Sequence, residues 1–321
     1  MPEKLRWGIL GTGNIARKFA SQLPGSQRGE LVAVGSRNEE SAIRFANEFG
    51  GAPRSPYEGV LADSKVDAIY NSLPNSLHAE WSIRAMEAGK HVLCEKPIAS
   101  TASEAESMFQ AAERTGKKLV EAFMYRSHPA VQRFIAMARE GAIGDLRLIR
   151  SNFTFQRAAD AKDVRYQREL AGGSIMDVGC YCVNFARAIT GSEPLESNAL
   201  AHLHETGVDE YAAGLLKFED DIFCTFTSGM TTKSDLHTVV AGSEGYMRID
   251  APWFTDGSFT IVRGDDTERI EVDSATNYYA MEADAFAAHV LDGAKPAISS
   301  ADSIGNMRTL DELRRSAGLE Y

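Results

Sequence analysis

Residues 5–16 read Leu5-Arg6-Trp7-Gly8-Ile9-Leu10-Gly11-Thr12-Gly13-Asn14-Ile15-Ala16. The first six form a short apolar run that fits a buried parallel strand, and the glycine turn leads at once into a helical pattern through Leu23. Gly11 permits a tight turn, Gly13 lets backbone approach a pyrophosphate, and Ala16, in place of a third glycine, still allows close helix packing. A phosphate would then lie beside Asn14 and Ile15 at a helix N-terminus, where free N–H groups and the dipole favour anions. Taken alone, the pattern fits an ordinary strand-to-helix turn equally well.

The next strand pattern, Leu31-Val32-Ala33-Val34-Gly35, decides between these readings because it ends in Ser36-Arg37-Asn38, where a dinucleotide fold reads the ribose. An acid there would bind the 2′-hydroxyl of NAD. A small hydroxyl residue followed by arginine instead leaves room and positive charge for a 2′-phosphate, so NADP is the expected cofactor and NAD the alternative.

Strands and helices then alternate as a doubly wound parallel sheet requires: a helix over Glu39–Phe49, a strand over Val66–Tyr70, a helix over Leu77–Ala88 and a strand over His91–Leu93. A helix over Thr101–Thr115, opened by a Thr101/Glu104 capping box, and a strand over Lys118–Ala122 follow. Past residue 145 the rhythm changes to apolar–polar alternation at Arg147–Gln156, Tyr211–Phe218, Ile222–Thr227, Leu236–Ala241 and Phe259–Val262. That alternation predicts antiparallel strands with one face buried and one free. The expected architecture is therefore α/β, with a Rossmann domain over 1–122 and a second α/β domain on a large open sheet over 123–321. Helices over Tyr278–Leu291 and Ala301–Ser316 close the chain and are placed to pack back on the first domain.

Composition narrows the function classes. The 321 residues are 44% hydrophobic and carry a formal net charge of −11, and no basic stripe suggests a nucleic-acid surface. Nor does any segment approach the roughly 20 apolar residues of a membrane span. Met1-Pro2-Glu3-Lys4 lacks the apolar core of a signal peptide, so a cytoplasmic location is expected. Cys94, Cys180, Cys182 and Cys224 lack C-x-x-C spacing, which indicates neither a disulfide framework nor a metal site.

Two further stretches carry chemistry. Leu93-Cys94-Glu95-Lys96-Pro97 sets one lysine beside a proline at the end of a strand in the dinucleotide-binding domain. Ala171-Gly172-Gly173-Ser174-Ile175-Met176-Asp177-Val178-Gly179-Cys180-Tyr181 opens a helical pattern over Ser174–Ala188, in which Asp177 and Tyr181 share a face. A buried tyrosine bonded to a helix carboxylate explains the second stretch as well as a ligand site does.

Four ordered motifs, Gly11-x-Gly13, Ser72-Leu73-Pro74-Asn75-x-x-His78, Glu95-Lys96-Pro97 and Gly172-Gly173-x-x-x-Asp177-x-Gly179-x-Tyr181, resemble the Gfo/Idh/MocA family of NAD(P)-dependent oxidoreductases across the whole chain. Many members carry histidine where this chain has Tyr181. The tyrosine, with Glu121-Ala122-Phe123-Met124-Tyr125-Arg126-x-His128-Pro129 and Val164-Arg165-Tyr166-Gln167, resembles the branch of the dimeric dihydrodiol dehydrogenases, NADP-dependent D-xylose dehydrogenases and glucose-fructose oxidoreductase. The last of these is exported and keeps its cofactor through an N-terminal arm, features this sequence does not display.

The resemblance implies that Leu73, Pro74, Asn75 and His78 form the loop under the nicotinamide and ribose, with Glu95, Lys96 and Arg126 beside the cofactor. It implies a substrate pocket with Phe123, Arg165 and Tyr166, and a cis Lys96–Pro97 bond. Oxidising a hydroxyl needs a base for the departing proton, and a tyrosine, with a pKa near 10, needs a neighbouring cation to serve. Tyr181 is then expected to exchange the proton, Lys96 to polarise the substrate oxygen and tune Tyr181, and Asp177 to orient the pair or the sugar hydroxyls; the converse assignment, with Lys96 carrying the proton, stands equally.

The substrate class so implied is a sugar or cyclic polyol, an aldose such as D-xylose first, with trans-dihydrodiol or 1,5-anhydro sugar chemistry as the alternative. A non-catalytic NADP-sensing regulator is the reading from another class. An uncovered sheet face further predicts a homodimer, or else a tetramer, with strands around Ala212-Gly214-Leu216, Phe223-Thr225 and Thr238-Val240 supplying the contact.

Overall fold

In the computed structural model, which describes residues 3–274 and 277–319, the opening apolar run forms strand β1 (Leu5–Leu10). It is joined by β2 (Gly29–Gly35), β3 (Ala52–Arg54), β4 (Ala68–Asn71), β5 (His91–Glu95) and β6 (Leu119–Ala122) in a parallel sheet of order β3-β2-β1-β4-β5-β6. The order reverses between β1 and β4, which opens a crevice at the carboxyl ends of these strands. Helices α1 (Asn14–Gln22), α2 (Glu39–Phe49), α3 (Glu58–Leu61), α4 (His78–Glu87) and α5 (Ala102–Thr115) make the crossovers. The cap expected on α5 is present: Thr101 Oγ1 accepts from Glu104 N at 3.2 Å, while the Glu104 carboxylate reaches back to Ser100 N at 2.9 Å.

The chain divides into two compact units, the first running to Ser127 and resuming over Asn277–Ile304, the second made of His128 onward and the residues from Gly305. In the second unit, α6 (Pro129–Arg139) and α7 (Cys180–Thr190) accompany a sheet of β7 (Leu146–Thr154), β8 (Glu196–Leu203), β9 (Asp209–Lys217), β10 (Phe223–Gly229), β11 (His237–Gly242), β12 (Tyr246–Asp250), β13 (Ser258–Arg263) and β14 (Asp266–Glu271). Its order is β14-β13-β12-β11-β7-β10-β9-β8. All neighbours are antiparallel except β7 and β10, which run parallel, so the sheet is large and mostly antiparallel as expected. The buried face holds an aromatic cluster in which Phe134 lies over Phe185 and Phe153 stacks on Trp253 with centroids 5.5 Å apart.

The structure assigns the faces of these strands, which the sequence left open. Ala212, Leu216, Thr238 and Val240 point into the core, whereas Tyr211, Ala213, Leu215 and Thr225 face outward with Leu148 and Leu200, the last 81% exposed. Because side chains alternate, a shift of one residue exchanges the two sets completely.

The closing helices α8 (Tyr278–Leu291) and α9 (Ser300–Ser316) fall where the sequence places them, and α8 belongs to the first unit. Phe286 packs on Trp7, whose other neighbour Phe19 stacks on Tyr70 with centroids 3.9 Å apart. Asp284 fixes the helix further by accepting from the backbone of Gln27 at 3.1 Å and Arg28 at 2.9 Å.

Candidate active site

The residues of the cofactor half lie in the first unit. Gly11 has φ +100°, a conformation that favours glycine, and a Cβ there would stand 3.0 Å from Ser72 Oγ. Gly13 caps α1, whose first turn carries neither a side-chain cap nor an acid, and a Cβ on Gly13 would meet nothing within 4 Å. Uncapped N–H groups facing open space suit a pyrophosphate, so this turn fits a dinucleotide. Past the end of β2, Ser36 Oγ accepts from Asn38 N at 3.2 Å, Asn38 caps α2, and Arg37 is exposed. A hydroxyl and a solvent-facing guanidinium suit a phosphate ester better than a bare ribose hydroxyl.

The turn after β5 is held from several sides. Lys96 N donates to Glu95 Oε2 at 3.2 Å, Ile98 N donates to Glu121 Oε1 at 2.9 Å, and the Lys96–Pro97 bond is cis. Glu95 also accepts from the Tyr70 hydroxyl. Burial, and then the neighbouring Glu95 charge, push the Tyr70 phenol well up and likewise raise the Glu282 carboxyl. In the preceding loop Leu73 is buried, Pro74 and Asn75 are half-buried, and His78 is fully buried.

Several of the expected site residues in this unit have side chains engaged within the protein. His78 has both ring nitrogens against backbone carbonyls, Nδ1 at 2.8 Å from Pro97 O and Nε2 at 2.8 Å from Leu73 O, so its ring supports the loop. Glu95 is buried and spends its carboxylate on Tyr70 and the Lys96 backbone. Phe123 is 1% exposed, with its ring edge-on to Tyr125, a packing position. Arg126 forms an ion pair with Asp302 at 3.1 Å.

The substrate half lies in the second unit. A Cβ on Gly172 would fall 2.3 Å from Arg165 O, and Gly173, at φ +105°, donates its N–H to that same carbonyl at 2.8 Å. Residues Ile175–Gly179 then form a π-helical turn before α7, where a continuous α-helix is the sequence expectation. Such turns recur at functional sites. Asp177 accepts from Arg165 Nε at 2.7 Å, and the same guanidinium reaches Asp163 at 3.2 Å, which also pairs with Arg157 at 3.0 Å. The Asp177 charge, first among its causes, raises the Arg165 pKa further. Tyr181 is 6% exposed, its ring edge-on to Phe153 and Trp253.

Tyr166, expected to reach sugar hydroxyls, is buried against Val208, Met230 and Phe155 with no hydrogen-bond partner for its hydroxyl among the described residues. The sequence reading also omits Asp209. Buried at the start of β9, Asp209 Oδ2 accepts from Ser174 Oγ and Ile175 N, both at 2.7 Å, and so anchors the beginning of the segment that carries Asp177 and Tyr181. Ser228 completes this contact, 2.8 Å from Ser174 Oγ. A lone acid opening a strand gives no local signal of such a role.

Among the described residues no cluster of three or more His, Cys, Asp or Glu side chains is arranged to hold a metal ion, the four cysteines are buried and form no disulfide, and no helix is long and apolar enough to cross a membrane.

Comparison with known proteins agrees with this layout. Residues 5–123 match the NAD-binding Rossmann-fold domain of the Gfo/Idh/MocA oxidoreductase family, and residues 131–248 match that family's C-terminal domain. A D-xylose 1-dehydrogenase (NADP(+)) from Haloferax volcanii is 33% identical over 317 residues, 98% of this chain and 97% of that protein. The mouse trans-1,2-dihydrobenzene-1,2-diol dehydrogenase is 33% identical over 255 residues, 78% of this chain and 75% of that protein. Among solved structures, a 3-ketoreductase from Actinomadura kijaniata in complex with NADP and TDP-benzene superposes with a TM-score of 0.90 at 31% identity, covering 98% of both chains. With both family domains matched in order and relatives aligned nearly end to end, the chain belongs to the Gfo/Idh/MocA family of NAD(P)-dependent oxidoreductases.

Proposed function

We propose that the protein oxidises the anomeric hydroxyl of an aldose, D-xylose or a related sugar, to the lactone with reduction of NADP. Gly11, Gly13 and the first N–H groups of α1 at Asn14 and Ile15 would hold the pyrophosphate, Ser36 and Arg37 the 2′-phosphate, and Leu73, Pro74 and Asn75 the nicotinamide end. When bound, the dinucleotide supplies the acceptor for the hydride that leaves the carbinol carbon.

The chain's own residues handle the proton and the orientation. Tyr181 takes the hydroxyl proton, Lys96 polarises the substrate oxygen and favours the phenolate, and Asp177, fixed by Arg165, orients the sugar hydroxyls. The observation that carries the sugar reading is the charged set Arg165, Asp177 and Asp163: a sugar needs several directed hydrogen bonds, whereas an aromatic diol wants an apolar wall. The name of the Haloferax relative supports the same substrate class.

The outward face of the second sheet supports a homodimer. Leu148, Leu200, Tyr211 and Leu215 are exposed there, and a depression of about 680 Å³ lies among Asn198, Leu200, Ala213 and Thr225. An uncovered sheet face that carries these apolar side chains among polar ones favours self-association.

Initial rates at 340 nm with aldoses, inositols and trans-dihydrodiols, each with NADP and with NAD, test the function. An aldose with NADP should give the highest kcat/KM. A dihydrodiol or an inositol that exceeds every aldose would overturn the substrate class, and preference for NAD would overturn the reading of Ser36 and Arg37.

A further inference from the structure

The His78 ring is completely buried in the first unit, with Nδ1 2.8 Å from Pro97 O and Nε2 2.8 Å from Leu73 O. Those carbonyls belong to two separate segments. One is the loop that follows β4, and the other is the turn that presents Lys96. The backbone of His78 is fixed in its turn, because Asn71 Nδ2 donates to His78 O at 3.2 Å and to Ser82 Oγ at 3.0 Å. We propose that His78 is a positioning residue: it ties the Leu73–Asn75 loop to the Lys96–Pro97 turn and so sets where the Lys96 ammonium stands.

The inference rests on the reading of Lys96 as a catalytic group. Other side chains hold the amide groups of the same turn, Glu95 at Lys96 N and Glu121 at Ile98 N, and His78 engages the carbonyl between them. Pro97 O and Ile98 N–H lie on one planar peptide, so Glu121 and His78 hold that unit at its two polar ends, which fixes its orientation as a bond at either end alone does not. Burial pushes the imidazole down to about 4, with Lys96 adding to the effect, so the ring is neutral near pH 7. A neutral imidazole has one N–H; carried on Nδ1 it donates to Pro97 O and holds the turn, while the buried ring packs against the Leu73 segment.

His78→Asn, His78→Gln and His78→Phe, with Lys96→Met in parallel, test the proposal. The readouts are kcat, KM for NADP, thermal unfolding and the pH profile of kcat for alcohol oxidation. The Asn amide reproduces a donor near Nδ1, toward Pro97 O, and the Gln amide one near Nε2, toward Leu73 O. A displacement of the reacting groups on the ångström scale costs up to about 100-fold in rate, so His78→Phe is expected to lower kcat by about 10- to 100-fold. Its pH limb should move to higher pH, because a misplaced ammonium favours the Tyr181 phenolate less. His78→Asn should recover most of the rate and return the limb toward its wild-type position.

A purely structural histidine would lower the unfolding temperature and leave the pH limb in place, and that result overturns the proposal. So does rescue by Gln without rescue by Asn, which would locate the essential bond at Leu73 alone. Should His78→Phe fail to fold, His78→Asn and His78→Gln carry the same comparison. Near-normal turnover in Lys96→Met removes the catalytic reading, and the proposal with it; an inactive Lys96→Met beside an unaltered His78→Phe removes only the proposal.

Discussion

Asp209 couples folding to pH in a direction opposite to that of most acids. Burial raises its carboxyl from 3.8 to about 6, against the opposing hydrogen bonds from Ser174 and Ile175 and the charge of Arg314. The native carboxyl therefore binds its proton more tightly than the unfolded one. Folding takes up a proton between those two values, so the contribution to stability grows as pH falls through 6 and is complete below about 4. Above pH 6 the ionised group destabilises the fold, relative to an unshifted carboxyl, by about 3 kcal/mol. Between pH 7.5 and 4.5 most of that is recovered, about 2 kcal/mol.

Asp209→Asn isolates this effect. The amide oxygen can still accept from Ile175 N, and the Ser174 hydroxyl can turn to Ser228, while the titration is gone. Urea unfolding of both proteins at pH 7.5 and 4.5, followed by Trp253 fluorescence with Trp7→Phe and Trp81→Phe in the background, reports the second unit. Other titrating groups cancel in the double difference. The expected result is that the wild type gains about 2 kcal/mol over Asp209→Asn on going to the lower pH. A double difference of zero, or one of opposite sign, would refute the assignment of a buried, proton-retaining Asp209.

Three other variants probe the site and the surface. Lys96→Met and Tyr181→Phe should each lower turnover by at least about 10²-fold, the scale of a positioned acid–base group, with NADP binding retained by fluorescence titration; normal turnover in either removes its proton-handling role. Arg37→Ala should raise KM for NADP by about 10-fold, matching the loss of a charge-assisted hydrogen bond worth about 1.5 kcal/mol, and leave KM for NAD unchanged, whereas an equal rise for both cofactors places Arg37 away from the 2′-phosphate. Leu200→Asp with Leu215→Asp should convert a dimer to a monomer in light scattering after size exclusion, and an unchanged mass puts any interface elsewhere.

Elements with a strong apolar period were legible in the sequence. Helices α2 and α8 fall on the expected residues, and β1, β2, β4, β5 and β6 agree to within a few residues, because buried parallel strands are continuous apolar runs; the short edge strand β3, Ala52–Arg54, has no such run and was not legible. Strand β14 escaped notice for the converse reason: Asp266–Glu271 is a charged edge strand held by its ladder to β13, with little apolar pattern to mark it. Strand β8 carries Leu200 and Leu203 on its exposed side, which obscures the alternation that would have marked it. The parity of β9 was not legible either, since Tyr211-Ala212-Ala213-Gly214-Leu215-Leu216 offers apolar groups to both faces and tertiary packing alone selects Ala212 and Leu216 for the core.

The candidate site divides along the same line. Residues whose role is imposed by the backbone, Gly11 at positive φ and Gly13 at the helix start, can be read from a short stretch because the constraint is local. Residues whose role depends on a distant partner cannot. Nothing near Asp177 in the sequence specifies that Arg165 bonds it, and nothing near Ser174 points to Asp209. His78 shows how a motif can mark a position without its contacts: its spacing from Asn75 marks the loop, but the two carbonyls that flank its buried ring come from segments the motif does not specify. The same physics explains why these supports are buried. A polar group withdrawn from water has no solvent to replace a lost partner, so displacing that partner costs about 1–3 kcal/mol, which keeps the Lys96 turn and the Ser174 helix start in place.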